Sequence, residues 1–230
     1  MSFTQRIFGS SLGRKYVMAI SGALLLVFLV VHMSGNLLVL KGPDAFNEYG
    51  HFLKTHPQIL WPARIGLLVL FVVHVYLGIS LARENRQARP TPYASKNTVQ
   101  ATLASRTMAL TGLLILAYLI YHLLHFTIGT IQPQYFSGVD ADGRHDIFTM
   151  FVLGFRDPII FGSYVAAQII LAVHLSHAIC SVFQTMGWNQ QRFFGVLKGF
   201  SIAYTAVVII GFMTPPTLVA LRIIKLQGEM

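Results

Sequence analysis

The sequence predicts an all-α integral membrane protein with five transmembrane helices, its first four forming a bundle. Three observations carry this. Only 11% of the 230 residues are charged and 54% are hydrophobic, with a mean hydropathy of +0.62, whereas a soluble domain carries about a quarter charged residues. Five apolar runs each approach the ~20 residues that a helix needs to cross a ~30 Å hydrocarbon core. The lysines and arginines gather on alternate linkers, the pattern of a chain sorted across a bilayer.

The runs fall at about 16–40, 63–84, 106–130, 158–186 and 199–221, within one domain spanning 1–230. Only helices and closed barrels satisfy their backbone in lipid, and runs of this length are helices. The first run covers 25 residues, too long for the 7–15 residue apolar region of a cleaved signal peptide. Residues 1–15 read as a short interfacial segment, with Phe3, Ile7, Phe8 and Leu12 among Arg6, Arg14 and Lys15. The linker GPDAFNEYGHFLKTHP predicts a short helix opening at Pro43 and ending before Pro57. The linker over 131–156 predicts a surface helix around 147–153. Asp157-Pro158 supplies an N-cap and a proline at the first helical position for the fourth run. Tyr16, Trp61 and Trp188 sit where an interfacial aromatic belt belongs. Pro215-Pro216 is expected to kink or fray the last helix.

With five crossings, the N-terminus and two linkers share one side. They hold ten Lys/Arg and one acid, Glu84, against seven of each on the other side. The basic side is therefore cytoplasmic, with the N-terminus inside and the C-terminus outside. The net charge of +9 is a topology signal, and nucleic acid is not the expected partner. The single cysteine, Cys180, excludes an internal disulfide, and no CxxCH motif is present for covalent haem attachment. No nucleophile constellation, phosphate loop or clustered metal motif suggests a hydrolase.

Six of the nine histidines lie inside the apolar runs: His32, His74, His122, His125, His174 and His177. Ionisable side chains in a membrane are costly and face the bundle interior. His32 lies 17 residues after Lys15 and His122 lies 16 after Arg106, about 25 Å along their helices at ~1.5 Å per residue. His74 lies 9 residues before Arg83, and His174 and His177 lie 13 and 10 before Gly187, about 14–20 Å from the inner end. Two levels result, each served by two helices of like direction. Haem iron takes one axial imidazole on each face, and helix bundles build cofactor sites from facing helices. Two bis-histidine b haems follow: an outer one on His32 and His122, and an inner one on His74 with His174. His122/His125 and His174/His177 are each i, i+3 pairs on similar faces. Spacing does not choose within them, and depth leans slightly toward His177. Ser21, Gly22, Gly35, Gly78, Gly112 and Gly162 would let a macrocycle approach the backbone or let helices pack closely.

The stretches SSLGRKYVMAISG, HMSGNL, AFNEYGHFL, LIYHLLHF and HLSHAICS, with the lone His74 between them, resemble a known family over nearly the whole chain. This is the cytochrome b membrane anchor of succinate dehydrogenase and fumarate reductase, in its single five-helix, dihaem form. The resemblance implies iron ligands at His32, His74, His122 and His174, paired first helix with third and second with fourth. His125 and His177 would then bond propionates, quinone or a neighbouring helix. It implies partners: a subunit with covalent FAD that oxidises succinate, and an iron–sulfur subunit that passes electrons to the inner haem. Menaquinone or another quinone is reduced near the outer face. This chain itself would not act on succinate. A bacterial cytoplasmic-membrane location follows, and the complex can form a higher oligomer. Arg14, Lys15, Arg83, Arg86 and Arg106 become candidates to contact the partner or propionates, with lipid phosphate as the plainer role. Glu48 and His51 are the titratable candidates for the quinone site. Some fumarate-reducing relatives carry a glutamate two residues before the fourth-helix ligand; Ala172 stands there, so that proton route is not expected.

Two other readings stay open. One is a dihaem cytochrome b anchor of another quinone-linked enzyme, such as a nitrate reductase or formate dehydrogenase. The other is a haem-free anchor or small transporter whose histidines pack or relay protons.

Overall fold

A computed structural model describes residues 9–88, 101–188, 190–226 and 228–229. Residues 1–8 of the interfacial segment expected at 1–15, and the linker residues 89–100, lie outside them. The described residues form α1 (Ser11–Asn36), which tightens into a 3-10 turn over Leu37–Lys41, then α2 (Pro43–Thr55) and α3 (Pro57–Gln87). Next come α4 (Leu103–Leu123), which widens into a π turn over Leu124–Ile128, and the single-turn α5 (Pro133–Phe136). Then follow α6 (Ile147–Arg156), α7 (Pro158–Thr185) and α8 (Gln191–Ala220). Five of these, α1, α3, α4, α7 and α8, are long and apolar enough to cross a membrane. They leave apolar side chains such as Leu24, Val27, Leu68, Val72, Leu110 and Ile210 exposed, as lipid contact requires.

The expected elements are present, four of the five crossings starting earlier than expected. The Ser10 hydroxyl accepts from the Gly13 amide at 3.0 Å and starts α1 five residues early. The Thr102 hydroxyl does the same for Ser105 at 3.1 Å. Asp157 caps α7, accepting from the Ile159 and Ile160 amides at 2.8 and 3.2 Å. The helix over 63–84 begins at Pro57 because Pro62 is tolerated inside it. The expected fraying at Pro215-Pro216 does not occur. Helix α8 continues to Ala220 because Pro215 and Val219 are fully buried and packing holds the turn. The Thr214 hydroxyl also donates to the Ile210 carbonyl at 2.7 Å.

The chain divides into two compact units, and each of the five long helices contributes to both. The first comprises Met1–Val27, Gly66–Leu116 and Ile170–Thr205. Its buried positions follow helical spacing: Leu77 with Leu81 on α3, Leu175 with Ile179 on α7, and Ser201 with Thr205 on α8. Polar ties join its helices. The Arg14 guanidinium pairs with Glu84 and bonds the Ser80 hydroxyl. The Ser201 hydroxyl donates to the Ser176 carbonyl at 2.9 Å, and the Tyr204 hydroxyl to the Leu26 carbonyl at 2.5 Å.

The second unit comprises Phe28–Ile65, Ala117–Ile169 and Ala206–Met230. Its core gathers Val39, Phe46, Phe148, Phe151, Val152, Phe155, Ile160, Tyr164 and Val219. Helix α6 is apolar and largely buried, where the sequence suggested a surface helix. It is covered by α2, through Phe46 against Phe151 and Gly50 against Ile147. Asn47, 1% exposed, ties the two. Its side-chain oxygen accepts the Phe148 amide at 2.9 Å, and its amide donates to Asp140 and Asp146 at 3.1 and 3.0 Å. Around it, Arg144 reaches Asp44, Glu48, Asp140 and Asp142 at 2.8–3.1 Å. Arg156 pairs with Glu229.

These pairs set a pH dependence. The Arg156 guanidinium holds the Glu229 carboxyl down at about 2. Burial would raise Asp140, but bonds from Arg144 and Asn47 and the Arg144 charge hold it below the usual carboxylate range. Burial would likewise raise Asp146, and bonds from Thr149 and Asn47 hold it down. Folded-state depression means this stability is complete above the unfolded carboxylate range of ~4 and is lost as pH falls through the folded values. The melting temperature of the detergent-solubilised chain is expected to fall between pH 4 and about 2, and a flat profile there would refute the assignment. Asn47→Leu leaves the Phe148 amide and two carboxylates without their partner and is expected to cost about 2 kcal/mol in denaturant unfolding.

Candidate cofactor sites

The intramembrane histidines divide between the units. His74, His174 and His177 belong to the first, and His32, His122 and His125 to the second. Each set includes histidines from two different long helices.

In the first unit, His74 of α3 lies against Ser21 and Gly22 of α1. Its Nδ1 is 3.3 Å from the Met18 carbonyl and 3.4 Å from the Ser21 hydroxyl. The Ser21 hydroxyl already donates to the Met18 carbonyl at 3.0 Å. Both oxygens are therefore acceptors, and Nδ1 carries the proton. A Cβ at Gly22 would stand 3.1 Å from His74 Cε1, so glycine lets the ring approach. His174 of α7 repeats the arrangement against Thr111 and Gly112 of α4. Its Nδ1 is 3.0 Å from the Thr111 hydroxyl. That hydroxyl donates to the Thr107 carbonyl at 3.0 Å, so it too accepts an Nδ1 proton. A Cβ at Gly112 would lie 3.5 Å from His174 Cε1. Both rings thus present Nε2 with its lone pair, and among the described residues neither Nε2 is hydrogen-bonded. His177 is half-buried and makes no ring hydrogen bond with a described residue.

In the second unit, His32 of α1 and His122 of α4 meet, with ring centroids 5.8 Å apart at an interplanar angle of 85°. Phe28, one turn back, stacks on His32 at 5.3 Å, and Phe212 flanks it at 5.7 Å. His125 sits in the π turn that ends α4, a kind of turn common at functional sites, and is 2% exposed. Both its nitrogens are engaged: Nε2 with Gln132 Oε1 at 3.1 Å, and Nδ1 with the Tyr164 hydroxyl at 3.0 Å. The same hydroxyl is 3.3 Å from His122 Nδ1. Following the protons from the Gln132 oxygen, His125 donates from Nε2 and accepts at Nδ1. Tyr164 therefore donates to His125 and accepts the Nδ1 proton of His122. His122, like His74 and His174, keeps an unpaired Nε2.

This is the donor set that a bis-histidine haem requires. A metal-ligating histidine commonly donates its other ring proton to an oxygen, which fixes its tautomer. Two imidazoles bound on opposite faces of one metal, with bonds near 2.1 Å, have centroids about 6.5 Å apart, so the His32 and His122 rings would separate slightly to admit one. The facing imidazoles of His32 and His122 would suit the two sides of one haem iron, and among the described residues no group of three or more His, Cys, Asp or Glu could hold a compact metal ion.

The other expected residues are dispersed. Arg14 is taken up by Glu84, whereas Lys15, Arg83, Arg86 and Arg106 are exposed. Glu48 is paired to Arg144, and His51 is exposed on α2. Of the small residues, Gly22 and Gly112 face histidine rings and Gly35 faces Tyr49, while a Cβ at Gly78 or Gly162 would meet no other element within 4 Å among the described residues. The sequence reading missed Thr111, Tyr164 and Gln132. The first was legible: Thr111-Gly112 lies five residues after Arg106, much as Ser21-Gly22 begins six after Lys15.

No family model, curated protein or solved structure matches this chain.

Gly154 leaves the space in which His125 meets Gln132, since a Cβ there would stand 3.3 Å from both His125 Nε2 and Gln132 Oε1. Gly154→Ala is expected to break that bond and lower stability by about 1 kcal/mol. Thermal unfolding in detergent measures it, and an unchanged midpoint would show that the pair can yield.

Proposed function

We propose that this chain is the membrane anchor and electron-transfer subunit of a succinate:quinone oxidoreductase, with two b haems held by His32 with His122 and by His74 with His174. The observation that carries this reading is the fourfold histidine placement, in which His74, His122 and His174 each commit Nδ1 to an oxygen and keep Nε2 for iron. His125 is spent on hydrogen bonds at both nitrogens and serves as a support. The Thr111 hydroxyl singles out His174 over His177.

Bound haem supplies a one-electron carrier at each site. The chain's own residues bind and orient it. Ser21, Met18 and Thr111 hold two imidazoles in one tautomer, and Phe28 and Phe212 wall the His32 ring from lipid. The N-terminal side is cytoplasmic, and its exposed Lys15, Arg83, Arg86 and Arg106 form the basic surface for an iron–sulfur partner, which joins an FAD-bearing subunit that oxidises succinate. The second unit is the quinone end, with Glu48 and His51 on its α2. The setting is a bacterial cytoplasmic membrane.

A second reading, a haem-free membrane protein that relays protons, is favoured by one observation: the hydrogen-bonded series Gln132–His125–Tyr164–His122. A dihaem anchor of another quinone-linked enzyme would share the histidines and differ in its partner.

A pyridine haemochrome assay on the purified chain separates these. Two haems b per chain are expected. His32→Ala or His122→Ala should leave one, His74→Ala or His174→Ala should leave the other, and His177→Ala should keep both. Folded chain without haem would refute the proposal, and two haems that succinate cannot reduce through the intact complex would move it to another enzyme.

A further inference from the structure

The series Gln132–His125–Tyr164–His122 reaches beyond binding. Resting on the haem reading above, we infer that Gln132 and Tyr164 are positioning residues that set the proton direction of this series, make His122 the ligand in place of His125, and lower the reduction potential of the second-unit haem. Four groups share three hydrogen bonds, of 3.1, 3.0 and 3.3 Å. The Tyr164 hydroxyl also bonds that of Tyr118, but a hydroxyl has one proton and two acceptor sites, so once His125 takes the Tyr164 proton the Tyr164 oxygen accepts from its other neighbours. The Gln132 carbonyl oxygen is an acceptor only. It draws the His125 proton to Nε2, turns the Tyr164 proton toward His125, and leaves the Tyr164 oxygen to accept from His122. Reversed, the series would place the His122 proton on Nε2, where iron must bind. The i, i+3 pair is thus resolved from outside α4: by Tyr164 on α7 and by Gln132, which precedes α5.

The direction of the redox effect follows. Donating Nδ1–H to an oxygen raises imidazole basicity, and a more basic ligand favours the more positive, oxidised iron. Thr111 acts in the same way on His174 in the first unit, so the two sites can be addressed separately.

The test uses the full chain in detergent, comparing wild type, Tyr164→Phe, Gln132→Leu and Thr111→Val by haem count and optical redox titration. Tyr164→Phe keeps the ring that packs against Phe155 at 4.8 Å and removes only the hydroxyl. It is expected to retain two haems and raise one midpoint about tenfold in equilibrium, about 59 mV for one electron, with the other unmoved. Gln132→Leu should shift the same midpoint in the same direction, and Thr111→Val should shift the other one. Loss of one haem from Tyr164→Phe, with the remaining midpoint at its wild-type value, also supports the inference. Two haems with unmoved midpoints in both Tyr164→Phe and Gln132→Leu overturn it alone. A folded wild-type chain without haem overturns the reading on which it rests.

Discussion

A neutral imidazole between apolar helices has one N–H to place, and lipid offers it no acceptor. Leaving such a donor unpaired costs ~1–3 kcal/mol, so acceptor oxygens decide the tautomer and rotation of the His74, His122, His125 and His174 rings. In the first unit the acceptors are hydroxyls bonded back to their own helix, Ser21 to Met18 and Thr111 to Thr107. A hydroxyl whose proton is already spent can only accept. In the second unit a tyrosine between two histidines serves, and its direction is set by Gln132. Different residues therefore give the same outcome, an Nε2 free to bind.

The two units satisfy this constraint with different backbone devices. In the first, the rings meet straight helices through glycine, at Gly22 and Gly112. In the second, α4 widens into a π turn that carries His125 and ends at Gly129 in the left-handed conformation. Outside the crossings, α2, α6 and the turn around Arg144 are locked by Asn47 and by ion pairs. Gly154 of α6 stands directly against Gln132 and His125, so this layer adjoins the histidine series.

Much of the fold was legible. Run length and composition specify five crossings, because a helix must be apolar for ~20 residues to cross lipid. Asp157-Pro158 and Pro43 marked helix starts at the right residues. The ends of α1, α3 and α8 were read too short because the polar or proline-bearing turns there remain helical. At Pro215-Pro216 the chain stays helical to Ala220, with Pro215 and Val219 fully buried.

The sequence by itself determined the number of crossings, the two levels of histidine and the pairing of the long helices that carry them, since these depend only on counting residues along a helix of known rise. Tertiary structure decided which ring nitrogens of each close pair are hydrogen-bonded. Residues three apart share a helix face, so periodicity treats them alike. His122 and His125 share one hydroxyl, 42 positions away from the first and 39 from the second, and differ because Gln132 also takes His125 Nε2; what sets His174 apart from His177 is a hydroxyl 63 positions away. Such contacts exist only once the helices have packed.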